Sequence, residues 1–307
     1  GISGTVPGIG NLGSIENKGV ELAIDWRDRI GDWGYSAGFN LTTIKNKVLS
    51  LVQEGYSIIA GDKSQSYTMA GYPIGYFYGY KVEGVYQTDE EIARSPKNTL
   101  ATVTPGDLKF KDVNGDGKID KDDVVPLNYS AVPFIQYGFA LDWNYKAFRV
   151  SILFEGVSKV QYFQGGRGFY PFLNESRGNL LEMVADPRNR WIPREYAEAN
   201  GIDPALAENP NAKFPRLTYG ENKNNNRAST FWLADGRYLR LKNVEIGYTL
   251  PKHIYKRLGM SSIRVYAQGV NLLTFSKFKL WDPELDSNYG NIYPQMRTIT
   301  LGLNLNF

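Results

Sequence analysis

The residues best equipped for chemistry lie in the run Asp112-Val113-Asn114-Gly115-Asp116-Gly117-Lys118-Ile119-Asp120-Lys121-Asp122-Asp123. Side-chain oxygens recur at its first, third, fifth and ninth places (Asp112, Asn114, Asp116, Asp120), Gly117 is sixth, Lys118 offers its carbonyl at the seventh, and Asp123 closes the twelfth. That is the spacing of an EF-hand-type calcium loop. A hard cation takes about six to eight oxygen ligands, and the sixth residue must turn sharply to wrap them around it. Asp123 stands where a longer, bidentate Glu is usual, which predicts weaker binding. Flanking helices are not expected, because Thr104-Pro105-Gly106 and Val125-Pro126 bracket the run. The expectation is a structural Ca²⁺ that pins a loop; the competing reading is an acidic, solvated turn without an ion.

Other reactive groups are scarce. With no Cys there is no disulfide framework, thiol nucleophile or thiolate metal site, and His253 is the single histidine. Nothing in the sequence sets two carboxylates side by side for acid–base work, so no enzyme is expected. Lys+Arg 35 less Asp+Glu 32 gives a net charge of +3, too little surplus for a nucleic-acid binder. Aromatics, at 14 % with Tyr 21, are abundant. Phe169, Tyr170, Trp191, Phe231, Trp232 and Trp281 fall in segments without strand patterning, where planar rings could stack on sugars or anchor a partner protein. The alternative for each is that it packs one loop against another.

The elements that must position these residues are strands. Val20, Leu22, Ile24 and Trp26 alternate with Glu21, Ala23, Asp25 and Arg27, and the same period of two recurs through Ile135–Trp143, Phe148–Phe154, Val244–Leu250 and Ile299–Phe307. The pattern predicts strands at about 18–27, 34–44, 132–144, 147–158, 237–250, 262–273 and 296–307, with a bulge near Lys242-Asn243 where the apolar phase slips. At about ten residues each, these match tilted strands crossing a bilayer better than sandwich strands of about five or six. Trp26, Trp33, Trp143, Tyr145, Tyr248 and Phe307 gather at one end, as in an interfacial girdle. The connections alternate short and long. The long ones, 45–131, 159–236 and 274–295, are read as extracellular loops, with the aromatic run Tyr76–Tyr86 as extended structure inside the first. Seven strands do not close a barrel, so the rest of the wall is expected from elsewhere, with the chain as the C-terminal part of a larger one.

Several stretches together resemble the SusC/RagA-type TonB-dependent transporters of the bacterial outer membrane. They are Gly13-Ser14-Ile15-Glu16-Asn17-Lys18-Gly19-Val20-Glu21-Leu22, Tyr72-Pro73-Ile74-Gly75-Tyr76-Phe77-Tyr78-Gly79-Tyr80, and Gly106-Asp107-Leu108-Lys109-Phe110 leading into the acidic run. Further on come Tyr238-Leu239-Arg240-Leu241-Lys242-Asn243-Val244-Glu245-Ile246-Gly247-Tyr248-Thr249-Leu250-Pro251, Gly269-Val270-Asn271-Leu272-Leu273-Thr274, Asp282-Pro283-Glu284 and the terminal Phe307. The resemblance implies an all-β, antiparallel transmembrane barrel of about 22 strands, plugged by a separate domain. It further implies energising by the TonB complex through an N-terminal region, and a SusD-like lipoprotein lid over the mouth.

The expected function is therefore active uptake of a bulky oligosaccharide or oligopeptide across the outer membrane, in contact with lipid and with the remainder of the same barrel. A passive porin, an outer-membrane adhesin and a soluble carbohydrate-binding β-sandwich remain the alternatives. Lumen-facing Glu21, Asp25, Arg27, Arg149, Glu155, Arg240, Glu245 and Arg264 would grip a plug, line a path or simply keep the wall wet.

Overall fold

The computed structural model describes residues 13–61, 63–165, 169–172, 180–285 and 292–307. Seven long strands form one antiparallel sheet in sequential order: β1 (Ser14–Ile30), β2 (Trp33–Ser50), β3 (Ile135–Tyr145), β4 (Phe148–Ser158), β5 (Tyr238–Thr249), β6 (Ser262–Ser276) and β7 (Thr298–Asn306). Each pairs only with its neighbours in the chain, as in an up-and-down barrel wall.

Register explains the alternation in the sequence. The row Trp26–Ala37–Leu141–Ile152–Val244–Gly269–Ile299 crosses all seven strands on one face. The adjacent row on the other face is Arg27–Ser36–Asp142–Ser151–Glu245–Gln268–Thr300. One face is apolar from edge to edge and the other polar, so a slip of a single residue at any strand would exchange them. The apolar face is not packed against protein: Val20, Ile24, Trp26, Ile299, Leu301 and Leu303 are all exposed, Leu301 at 81 %. A soluble sandwich would bury this face, and the exposed band is the outer wall of a membrane barrel instead. No helix among the described residues is long and apolar enough to cross a membrane.

At the short-turn end, the row Ile30–Trp33–Tyr145–Phe148–Tyr248–Val265–Leu303 is rich in rings. Trp33 lies 5.1 Å from Trp143 and 4.2 Å from Tyr145 between centroids, and Trp26 meets Tyr35 edge-on at 5.7 Å. These amphipathic rings suit the headgroup level of a bilayer.

The first two strands run further than alternation indicates, 14–30 and 33–50 against 18–27 and 34–44. Their extra residues, paired from Asn17↔Asn46 to Ile15↔Val48, continue the ladder without an apolar stripe. The slip at Lys242 is a bulge: Leu153 and Phe154 face Asn243 and Leu241, leaving Lys242 without a partner on that side. Across the other edge Asn271 takes φ +54°, which reverses the phase of β6 between Val270 and Leu273.

Above the opposite end the long connections build a second layer. The first carries a four-strand sheet ordered Val125–Ser130, Tyr76–Gly79, Ser66–Met69 and Ser57–Ala60, a pair Val82–Val85 with Leu108–Phe110, and a short helix Asp89–Arg94. The second adds the pair Gln161–Phe163 with Leu233–Asp235 and short helices at Glu182–Ala185 and Arg194–Ala199. The buried apolar core of the molecule sits here rather than beneath the long sheet: Phe77, Leu127, Phe163, Phe169, Tyr170 and Trp232 form one cluster. Tyr80, Leu108, Phe110 and Ile119 form another.

Candidate functional site

The candidate surfaces are the loop layer and the polar face of the sheet, and the first is held together by glycine contacts and buried polar bonds. Gly79 abuts the carbonyl of Ala228 so closely that a Cβ would collide with it, while the Tyr80 amide donates to that carbonyl at 2.9 Å and the Tyr80 carbonyl accepts from Thr230 N at 2.9 Å. Gly106, at φ +91°, lies against the indole of Trp191, again where a Cβ has no room. The next residue, Asp107, is fully buried and tied from all sides. It accepts from Asn225 Nδ2 at 3.0 Å, Asn222 Nδ2 at 3.1 Å and Thr104 N at 3.0 Å, and it pairs with Arg216 Nε at 2.9 Å. Asn225 Oδ1 accepts from Leu108 N at 2.8 Å, and Asn224 Nδ2 donates to Leu108 O at 2.9 Å. A buried carboxylate is tolerable because it is paired and fully hydrogen-bonded.

Strand patterning gives no hint of this asparagine run, Asn222 to Asn226. Its partners lie more than a hundred residues away, and the one available signal was four asparagines within five positions.

The aromatic residues expected to meet a cargo are placed mostly inside this layer. Phe169, Tyr170 and Trp232 are members of the first core cluster, and Phe231 and Trp281 pack against it, with Tyr170 edge-on to Trp232 at 4.6 Å and Phe169 to Trp281 at 5.4 Å. Trp191 stands apart, its ring buried over Gly106 and its Nε1 donating to Gln87 Oε1 at 3.0 Å. Loops this long need cores of their own, and these rings supply it. Among the described loop aromatics, Tyr219 and Tyr293 are the most exposed, with Tyr56 and Tyr196 less so.

The acidic run lies in the first loop between Leu108–Phe110 and Val125–Ser130. Gly115 and Gly117 take φ +76° and +79°, giving the required turn. The oxygens are already used within the loop: Asp112 accepts from Gly115 N at 2.6 Å and Gly117 N at 2.9 Å, Asn114 from Asp116 N at 3.0 Å, Asp116 from Lys118 N at 2.9 Å, and Asp120 from Asp122 N at 2.8 Å. Asp123 is buried and closes the loop on itself, accepting from Val113 N at 2.7 Å and Asp120 N at 2.9 Å. Among the described residues no group of three or more acidic or histidine side chains converges as a metal centre. The donor set suits Ca²⁺ in chemistry, since carboxylate oxygens that accept one amide keep further lone pairs, but both oxygens of Asp123 serve as a backbone brace.

On the polar face of the sheet several of the charges are paired. Arg149 Nη2 reaches Asp142 Oδ1 at 2.9 Å, and Arg264 Nη2 reaches Glu245 Oε1 at 2.5 Å. Where this face meets the third loop, Arg240 is almost wholly buried. It pairs with Asp282 and, at 3.0 Å, with Glu284, whose other oxygen holds Lys242 Nζ at 2.6 Å. Gln295 Oε1 accepts from Arg240 Nη1 at 3.1 Å, so one arginine ties both ends of that loop to the wall.

This architecture agrees with known proteins. TonB-dependent receptor P3 of Formosa agariphila is 32 % identical over 99 % of the chain. The chain belongs to the SusC/RagA-type TonB-dependent receptors. TonB-dependent receptor P26 of the same organism is 31 % identical over 97 % of the chain, and TonB-dependent receptor SusC of Bacteroides thetaiotaomicron is 26 % identical over 97 %. Among solved structures, the RagAB peptide transporter superposes on this receptor chain with a TM-score of 0.74 at 21 % identity, covering 96 % of it. The chain spans 30 % of the length of P3 and 29 % of the RagAB chain, so it corresponds to a part of such a receptor. No family model matches it.

Proposed function

We propose that this chain is a wall-and-loop portion of an outer-membrane importer that takes up a bulky oligosaccharide or oligopeptide in a TonB-dependent manner, with a SusD-like lipoprotein closing over the loops. The observation that carries this reading is the seven-strand register, with an apolar band on one face from β1 to β7 and a polar, charge-bearing surface on the other. Such a sheet is stable with acyl chains on one side and water on the other. Two relatives carry the functional part: RagAB is described as a peptide transporter, and solved in an open-open and a closed-closed state, and SusC as a TonB-dependent receptor. No step in this reading makes or breaks a covalent bond in the cargo. The loops present the cargo, the paired luminal charges keep a hydrated path, and energy enters from the periplasmic side.

The test is growth and uptake of a strain lacking the full-length gene, on a panel of defined polysaccharides and peptides, with a second strain lacking TonB. Loss of growth on one substrate in both strains supports the reading. Uptake that persists without TonB would make the barrel a passive porin, and normal growth on every substrate would make it an adhesin.

Within the first loop we read residues 112–120 as a Ca²⁺ site, with Asp112, Asn114, Asp116, the Lys118 carbonyl and Asp120 as ligands and Asp123 as the brace behind them. The all-oxygen donor set and the turns at Gly115 and Gly117 support this. Calorimetry of the full receptor against CaCl₂ should give a binding heat with sub-millimolar to millimolar affinity, lost in Asp112→Asn/Asp116→Asn. An absence of heat at millimolar Ca²⁺ together with an unchanged melting temperature in EDTA would reduce the run to a self-closed turn.

A further inference from the structure

A cavity of about 330 Å³ opens between the first and second loops, lined on one side by Tyr67 and Tyr78 and on the other by Lys63, Glu221, Lys223 and Arg227. Its volume is at the lower end for a small-molecule site, room for a single ring-sized group. Three features distinguish it from an ordinary crevice. Tyr67 and Tyr78 lie near-parallel, 4.6 Å apart and tilted by 34°, and both are partly exposed, unlike the rings of the loop core. Three cationic side chains line the space against one anionic side chain, and Lys63 already pairs with Glu221. Asn226, 4 % exposed, also lines it, and its Nδ2 has no hydrogen-bond partner. Arg227 is half engaged: Nη2 donates to Leu100 O at 3.3 Å, while Nε is buried without a partner.

Three cationic side chains against one anionic leave the lining with surplus positive charge, which favours an anionic group in the cavity. Rings that stand partly free beside those cations favour a ligand with an apolar face as well as an anionic group. A pyranose bearing a carboxylate or a sulfate has both: C–H bonds on one face of the ring, and a charged substituent at its rim. A peptide carboxylate would satisfy the cations but would leave the tyrosine faces unused.

We propose that this cavity is a subsite for one acidic sugar residue of an oligosaccharide cargo. The proposal rests on the importer reading above and narrows it to anionic glycans.

The experiment uses the full-length receptor in detergent, titrated with trigalacturonate, a sulfated galacto-trisaccharide, maltotriose and triglutamate, with uptake of the same probes followed in cells. Wild type should bind one or both acidic trisaccharides at least tenfold more tightly than maltotriose and triglutamate, with affinity falling as salt rises. The two acidic probes separate carboxylate from sulfate. Tyr78→Ala and Arg227→Gln should each weaken the acidic trisaccharide tenfold or more, with unchanged melting temperature; Arg227→Lys and Tyr78→Phe keep most of the affinity and guard against a folding effect. Equal affinities in wild type and all variants would overturn the subsite, and a preference for triglutamate would make it a peptide site. Binding that survives while TonB-dependent uptake is absent would sink the importer reading and leave the subsite standing. Uptake that continues with unaltered affinity in the variants would do the reverse.

Discussion

Two residues show how little freedom the loop layer leaves. Gly106 combines φ +91° with direct contact against Trp191, so Gly106→Ala would add left-handed strain of about 1–3 kcal/mol to an overpacking cost of similar size. The expected outcome is a loop layer that opens to protease at temperatures where wild type resists, with the barrel still intact; equal protease resistance would remove Gly106 from the list of fixed points. Arg240 is the second. Its guanidinium is 1 % exposed and satisfies Asp282, Glu284 and Gln295. Arg240→Met leaves Asp282 without its counter-charge and Glu284 with Lys242 alone, and should cost about 3 kcal/mol, the low end for a broken buried pair because both acids retain some solvent. Adding Asp282→Asn and Glu284→Gln should recover part of that loss in urea unfolding of the detergent-solubilised protein. No recovery would mean that Arg240 acts through packing alone.

Elements differ in how far the sequence discloses them, and the difference is physical. Strands β3, β4 and β7, and β5 beyond its bulge, are legible from alternation because one of their faces is apolar along its length. In β1 and β2 the pattern fades beyond Gly19 and Thr43, although the hydrogen-bonded ladder continues to Ser14 and Ser50, since both faces there have left the apolar slab. The broken phase of β6 traces to a single residue, Asn271, whose positive φ has no signature in a window of neighbours. The candidate site was less legible than the wall. The acidic run was visible as spacing, but the inward packing of Phe169, Tyr170 and Trp232 and the Asp107–Asn225 knot depend on partners far along the chain.

One loop element answers to pH. Helix Asp89–Arg94 is capped by Thr88 Oγ1, which accepts from Glu91 N at 3.1 Å, while Glu91 accepts from Gln87 N at 2.8 Å and Lys109 Nζ at 3.0 Å. Partial burial pushes the Glu91 carboxyl up, and the bonds from Gln87 and Lys109 more than offset it, holding it below the usual carboxylate value of 4.5. A depressed carboxylate stabilises the fold above its ordinary pKa and loses that contribution as pH falls through the lower, folded value. Amide exchange across this helix should therefore quicken below about pH 4.5, and Glu91→Gln should flatten the dependence. An unchanged profile in the variant would assign the loss to another group.

For the whole molecule the decisive variable is which solvent meets which face. Ile299 lies outward on β7, further into the sheet than the ring-rich row that holds Leu303, and beside inward Thr300. Ile299→Arg should destabilise insertion by about 2–4 kcal/mol, whereas Thr300→Arg should be tolerated, as read by folding into vesicles of matched thickness. Equal penalties at the two sites would mean that the sheet does not separate lipid from water. Within the described sheet β1 pairs only with β2 and β7 only with β6, so each outer strand has one ladder of amides and carbonyls still to be met by other strands of the wall. The Gly79–Ala228 abutment, the Asp107–Asn225 bonds and the shared aromatic cluster join the first two loops into one body. A visitor arriving at such a pre-set rim asks little further ordering of its host, so differences in residence between visitors would reflect their own shape and charge.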